Sequence, residues 1–282
     1  MRILALAAAL APGVAWAQAQ APAKPPVIIN ATVQQYEDGP SIPTGHKFVP
    51  GETVFFSFQV RGFSVSSEGK VRLTYRIETV DSDGVPMVEP DTGRIETEIS
   101  DLDKDWLPKV RYSCLIPPHA LPGEFRITAL VRDASTVLDA KTEATFSVQG
   151  RAVDTSGPFS VRNIRFLRSE DDRTPLTVVA YRPGEALWAR FDITGFKSGE
   201  KNHIDVIYGI SIVSPSGKVL YSEPEAASEE DAPFYPRRYV PGVVSLTVQP
   251  KTTPGEYTLI ITARDQVGNQ TCEGRGVFRV EP

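Results

Sequence analysis

Phe48-Val-Pro-Gly-Glu-Thr-Val-Phe-Phe-Ser-Phe-Gln-Val-Arg-Gly-Phe63 returns about 133 positions later as Tyr181-Arg-Pro-Gly-Glu-Ala-Leu-Trp-Ala-Arg-Phe-Asp-Ile-Thr-Gly-Phe196. Each copy starts with a Pro-Gly turn and runs into a segment with apolar residues at every second place. These are Val54, Phe56, Phe58 and Val60 in one copy and Leu187, Ala189, Phe191 and Ile193 in the other. Alternation with period two is the mark of a strand with one face buried. The chain therefore reads as a duplication of a β unit.

The repeat extends outward in both directions. Upstream, Val27-Ile-Ile-Asn-Ala-Thr-Val33 aligns with Ser160-Val-Arg-Asn-Ile-Arg-Phe166, so that Asn30 falls on Asn163, and both lead into acidic turns. Downstream, Val71-Arg-Leu-Thr-Tyr-Arg-Ile77 matches Ile204-Asp-Val-Ile-Tyr-Gly-Ile210. Hairpin turns follow at Asp81-Ser-Asp-Gly84 and Ser214-Pro-Ser-Gly217. Leu121-Pro-Gly-Glu-Phe-Arg-Ile-Thr-Ala-Leu-Val-Arg-Asp133 matches Thr253-Pro-Gly-Glu-Tyr-Thr-Leu-Ile-Ile-Thr-Ala-Arg-Asp265 at an offset of about 132. Gly268 and Asn269 after Asp265 suit positive φ. The closing strands carry Phe146 and Val148, or Phe278 and Val280. The middles differ most, and Val88–Arg94, Asp101–Pro108 and Glu223–Pro241 read as polar loops.

No segment shows helical periodicity over more than a few residues. Each half is thus expected to hold about seven short strands, the pattern of an antiparallel sandwich. Pro-Gly-Glu-Phe/Tyr, an alternating strand, Asp, a turn and a final Phe-x-Val resemble the last hairpin of bacterial immunoglobulin-like or fibronectin-type-III-like modules of exported proteins. The resemblance spans nearly the whole chain through the repeat, although the Cys-Trp-Cys spacing of antibody domains is absent. It implies an all-β fold of two tandem antiparallel immunoglobulin-like β-sandwiches. Such modules serve as spacers, binding domains and adhesin segments alike, so the resemblance implies no particular activity.

Residues 1–17 read as a signal peptide. Arg2 precedes an apolar run, Ile3 to Leu10, and Ala15-Trp16-Ala17 is a small-x-small cleavage signature. The run is too short for a membrane span. Residues 18–26 read as a leader, 27–149 as the first sandwich, 150–158 as a linker and 159–282 as the second sandwich. Apolar residues make up 41% and charged residues 23%, which excludes global disorder as an expectation. A net charge of −5 argues against nucleic acid as a partner. Cys114 and Cys272 fall in phase with the inward residues of different halves, which predicts two buried free thiols rather than a disulfide.

The three histidines, His46, His119 and His203, stand singly, and no nucleophile, zinc or phosphate-loop motif accompanies them. The chain is accordingly expected to be non-catalytic and without cofactor. Asp101-x-Asp-x-Asp105 and Glu229-Glu-Asp231 are acidic clusters that could take calcium weakly. Phe55 and its counterpart Trp188 fall on the outward side of the Pro-Gly-Glu strand, and two large aromatics there suggest a covered or ligand-binding face. Trp106, Phe234, Tyr235 and Tyr239, with Arg237 and Arg238, form a second candidate patch. The expected function is an exported protein-interaction module of the periplasm, cell surface or medium. The alternative is a carbohydrate-binding module beside a polysaccharide-degrading system. Protein or glycan partners are left open by the sequence.

Overall fold

The alternating segments form strands in the computed structural model, which describes residues 24–103 and 105–282. Residues 1–17, read above as a signal peptide, and residues 18–23 lie outside the described residues. The first half contains β1 (Val27–Gln34), β2 (Lys47–Phe48), β3 (Thr53–Arg61), β4 (Lys70–Val80), β5 (Asp91–Glu98), β6 (Lys109–Leu115), β7 (Gly123–Asp133) and β8 (Leu138–Val148). The second contains β9 (Ser160–Leu167), β10 (Ala180–Tyr181), β11 (Ala186–Thr194), β12 (Ile204–Val213), β13 (Val219–Asp231), β14 (Tyr239–Thr247), β15 (Gly255–Asp265) and β16 (Gln270–Val280).

These strands make two tandem immunoglobulin-like sandwiches. In the first, a sheet ordered β1-β3-β6 faces one ordered β2-β8-β7-β4-β5; in the second, β14-β11-β9 faces β10-β16-β15-β12-β13. Pairing is antiparallel except where the two-residue strands β2 and β10 join β8 and β16 in parallel. Those short strands bring the count to eight in each half.

The core sits between the sheets because the period-two apolar faces have nowhere else to go. Val54, Phe56, Phe58 and Val60 are buried against Phe125, Ile127 and Ala129, and Leu187, Ala189, Phe191 and Ile193 against Tyr257, Leu259 and Ile261. Each valine, leucine, isoleucine or phenylalanine among them is worth about 1.5–3 kcal/mol when taken from water. Gly51 and Gly184 turn the chain into β3 and β11 at φ 91 and φ 92, a region closed to most side chains.

The aligned asparagines have a local cause. Asn30 and Asn163 both adopt φ 53, at bulges where the β1·β3 and β9·β11 registers shift. At the β15–β16 turn, Asn269 takes φ 48 but Gly268 does not take positive φ, contrary to expectation. Gly268 is instead crowded: a Cβ there would lie 2.3 Å from Asp265 Oδ2.

The segment expected to be a polar loop at Glu223–Pro241 is mostly strand. Residues up to Asp231 belong to β13 and those from Tyr239 to β14, while Asp91–Arg94 belongs to β5. β13 is an edge strand whose side chains are largely exposed on both faces, so it carries no apolar alternation by which to be read. Cys114 is buried and Cys272 half-buried, and both are free.

Candidate functional site

The loop between β13 and β14 ends on the first sandwich. Asn202 holds it by donating from Nδ2 to the carbonyl oxygens of Pro233 (3.1 Å) and Phe234 (2.7 Å). That anchor aims Tyr235 away from its own sandwich, and its ring is buried within the core of the other. The Tyr235 hydroxyl donates to Asp81 Oδ2 at 2.7 Å. Arg238 completes the contact, with Nη2 2.5 Å from Asp81 Oδ2 and Nη1 2.5 Å from Asp83 Oδ2. Its guanidinium lies 5.9 Å from the Tyr235 ring centre.

Asp81 is only 4% exposed, yet its carboxylate is fully used. Oδ1 accepts the backbone N–H groups of Asp83 and Val85 at 2.9 Å, shaping its own hairpin turn, while Oδ2 takes both partners from the second sandwich. Burying a carboxylate is costly unless such a set of donors meets it. The Tyr235 phenol is pushed above its ordinary pKa by burial and by its bond to Asp81.

Tyr239 forms the second contact of this seam. His119 of the first sandwich meets its ring edge-on at 5.7 Å, and the Arg151 guanidinium lies over it at 5.3 Å. Burial, then the charge of Arg237, hold the His119 imidazole below its usual pKa. Arg151 is fixed in turn by Asp192, to whose Oδ1 its Nη2 donates at 2.6 Å. Arg151, between the two sandwiches in sequence, is thereby held to the second one at both Asp192 and Tyr239.

The remaining aromatics and cations are not all brought together. Trp106 packs edge-on against Phe63 at 5.9 Å, on the core of the first sandwich. Arg237 pairs with Glu229 (2.5 Å) and Asp231 (3.3 Å) of β13. Phe234 is 49% exposed and lines a 650 Å³ cavity along the seam with Val85, Pro86, Lys201 and Pro236. Phe55 and Trp188 are half-buried on the outer faces of two different sheets, Phe55 between Gln34 and Ser113 and Trp188 between Leu167 and Ser245. Of the candidate residues, then, the structure gathers Phe234, Tyr235, Arg238 and Tyr239 at the seam and leaves Phe55, Trp106 and Trp188 apart.

Sequence reading missed Asp81, His119 and Arg151 as members of the seam. Asp81 was legible only as a turn residue, and nothing local distinguishes a turn carboxylate that also reaches a residue 154 positions away. The acidic clusters are partly engaged within the chain: Glu229 and Asp231 are neutralised by Arg237, and Asp103 accepts hydrogen bonds from the backbone N–H and hydroxyl of Ser100. Among the described residues, no group of three or more His, Cys, Asp or Glu is arranged to hold a metal ion. None of their helices is long and apolar enough to cross a membrane.

No protein-family model matches the sequence, and no curated protein matches it. Among solved structures, the chain is similar to the C-terminal domain of the Streptococcus agalactiae AgI/II polypeptide BspA, at 10% identity and a TM-score of 0.30, covering 92% of this chain and 100% of that one. It is similar at the same identity and TM-score to the C-terminal domain of the Streptococcus pyogenes antigen I/II-family protein AspA, with 92% and 99% covered.

Proposed function

We propose that the chain is a non-catalytic interaction module, exported by the signal peptide read in residues 1–17 and presented in the cell envelope or at the cell surface. The seam around Asp81 carries this reading. A free linker would let each sandwich tumble alone, whereas Tyr235 lodged in the opposite core and Arg238 on Asp81 set the two outer surfaces at one distance and angle. A partner that touches both sandwiches then finds them preorganised and loses less ordering entropy on binding.

The chemistry of the interior supports the absence of catalysis in this proposal. Both thiols are pushed above their ordinary pKa by burial, Cys272 to about 11, which keeps them protonated and poorly nucleophilic at neutral pH. His46 packs on Phe48, His119 on Tyr239, and His203 lies 3.4 Å from Glu230. The carbohydrate alternative calls for a platform of aromatic rings, and the separate positions of Phe55, Trp106 and Trp188 give it no support.

A photo-crosslinking amino acid placed at Ser113 of β6 and at the equivalent Ser245 of β14 tests the proposal in the native envelope. Capture of one and the same protein from both positions, reduced together when Arg238→Ala opens the seam, is the expected result. Capture indifferent to Arg238→Ala, or substrate turnover by the purified mature chain in a hydrolase panel, would overturn it.

A further inference from the structure

Two arginines face each other on the outer side of the three-stranded sheet of the second sandwich. Arg190 of β11 stands directly opposite Arg165 of β9, where the first sandwich has Ser57 opposite Thr32. Like charges in direct cross-strand register cost stability, and a sheet normally avoids them. Both side chains are partly buried, and burial, followed by the neighbouring charges of Arg151 and Arg190, holds the Arg165 guanidinium below its usual range.

These two groups find only neutral carbonyl acceptors in the chain. Arg165 donates from Nε to the Asn163 carbonyl oxygen at 3.2 Å, and Arg190 donates to the Glu170 carbonyl oxygen. Arg151 is neutralised by Asp192. Arg165, Arg173 and Arg190 form no ion pair with a carboxylate among the described residues. With Arg151 they line a cavity of 500 Å³ with an apolar floor at Pro241 and Val243, and Glu170 is the one carboxylate on its lining.

The first sandwich shows how such a face is neutralised from within. There Asp38, from the acidic turn after β1, takes Lys109 at 2.5 Å and Arg111 at 2.9 Å. The corresponding turn of the second sandwich, Glu170-Asp171, makes no ion pair to the arginines among the described residues. Three guanidinium groups converge on a hollow with one carboxylate to balance them.

We propose that this hollow binds a small polyvalent oxyanion, a di- or tricarboxylate or a phosphate ester, gripped by the planar forks of Arg165 and Arg190 with Arg173 closing over it. Guanidinium forks match carboxylate and phosphate oxygens two at a time, and a bound anion converts the cross-strand repulsion into a shared attraction. The site goes beyond the interaction role proposed above: it shares Arg151 with the seam, but Arg165 and Arg190, which grip the anion, make no contact with the first sandwich among their hydrogen bonds, and no protein partner is needed.

Thermal melting and calorimetric titration of the purified mature chain test this with citrate and with inorganic phosphate, sodium chloride holding the ionic strength constant. One or both anions are expected to raise the melting temperature by about 2–4 °C beyond chloride, and the stronger of the two tells carboxylate from phosphate chemistry. Arg190→Ser, which installs the first sandwich's residue, and separately Arg165→Thr should weaken binding at least about 10-fold and abolish the shift, whereas Arg111→Ser on the first sandwich should leave it intact. Citrate and phosphate acting no better than chloride, or a shift that survives both Arg190→Ser and Arg165→Thr, would overturn the proposal.

Discussion

The two sandwiches share strand order and turn chemistry but close their interiors differently. In the first, Thr79 Oγ1 and Tyr112 Oη share a buried hydrogen bond of 2.8 Å that bridges the sheets, and Met87, opposite Thr79, is 2% exposed. In the second, Ile212 and Val244 replace that polar pair, and Tyr221, opposite Ile212, is 45% exposed. A crevice of 430 Å³ is left between the sheets there, lined by Leu220, Tyr221, Leu246 and Phe278. A duplicated backbone thus tolerates two fillings, because the strand register is set by main-chain pairing and by the inward period rather than by particular side chains.

The same hairpin position separates the halves most sharply. Asp81 holds its own turn and the opposite sandwich together, whereas its counterpart Ser214 only accepts from the Lys218 N–H at 3.1 Å and meets Ser216. Asp81→Ala should therefore cost about 3–5 kcal/mol, since it strands the Arg238 charge and the Tyr235 hydroxyl. Ser214→Ala should cost about 1 kcal/mol or less. Chemical denaturation gives both values, and calorimetry of Asp81→Ala should resolve two melting transitions in place of one; equal costs would erase the asymmetry.

Next in size is Asp133, fully buried at the end of β7. It accepts the N–H of Ser64 at 2.7 Å and of Ser135 at 2.8 Å, as Asp265 accepts those of Lys197 and Gly268. Burial alone would raise the Asp133 pKa, but these donors outweigh it and hold the carboxyl below its ordinary value. A depressed folded pKa means stabilisation present above the unfolded value of about 3.9 and lost as pH falls through the folded one. Asp133→Asn should cost about 2 kcal/mol at pH 7, and its urea-unfolding curve should converge with that of the parent as pH falls through the depressed folded pKa. A gap independent of pH would break the argument.

Tyr112→Phe tests the polar bridge peculiar to the first sandwich. It leaves the Thr79 hydroxyl in the core with only a 3.9 Å contact from Cys114 Sγ, and should cost about 1–2 kcal/mol by denaturant titration. Smaller still is the β7–β8 turn, where Val137 takes φ 59 in the place that Asn269 fills in the second copy. Valine is strained in that region, so Val137→Asn should stabilise the chain by about 1 kcal/mol, read as a higher denaturation midpoint. The thiols offer the smallest effect: a colourless-to-coloured thiol reagent at pH 8 should modify Cys272 slowly and Cys114 only on unfolding, since one is half-buried and the other buried.

Much of this architecture was legible in the residues themselves. The inward sets, the Pro-Gly turns, the alignment of Asn30 with Asn163 and the unpaired cysteines all follow from spacing, because each is a rule obeyed within a few neighbouring positions. The bulges at those asparagines came only from the strand register. The β13 edge strand escaped, since a segment exposed on both faces has no alternation to betray it. The same was true of the facing pair Arg165 and Arg190, whose charges look like ordinary surface residues until sheet register sets them opposite each other.

The sequence alone determined that there would be two β-sandwiches and which side chains would point into each. Only the tertiary structure decided that Tyr235 belongs to the core of the other sandwich and that Asp81 holds it there. The physical reason is range: burial periodicity is written into adjacent residues, whereas a partner more than 150 positions distant is chosen by how complete sheets stack and dock.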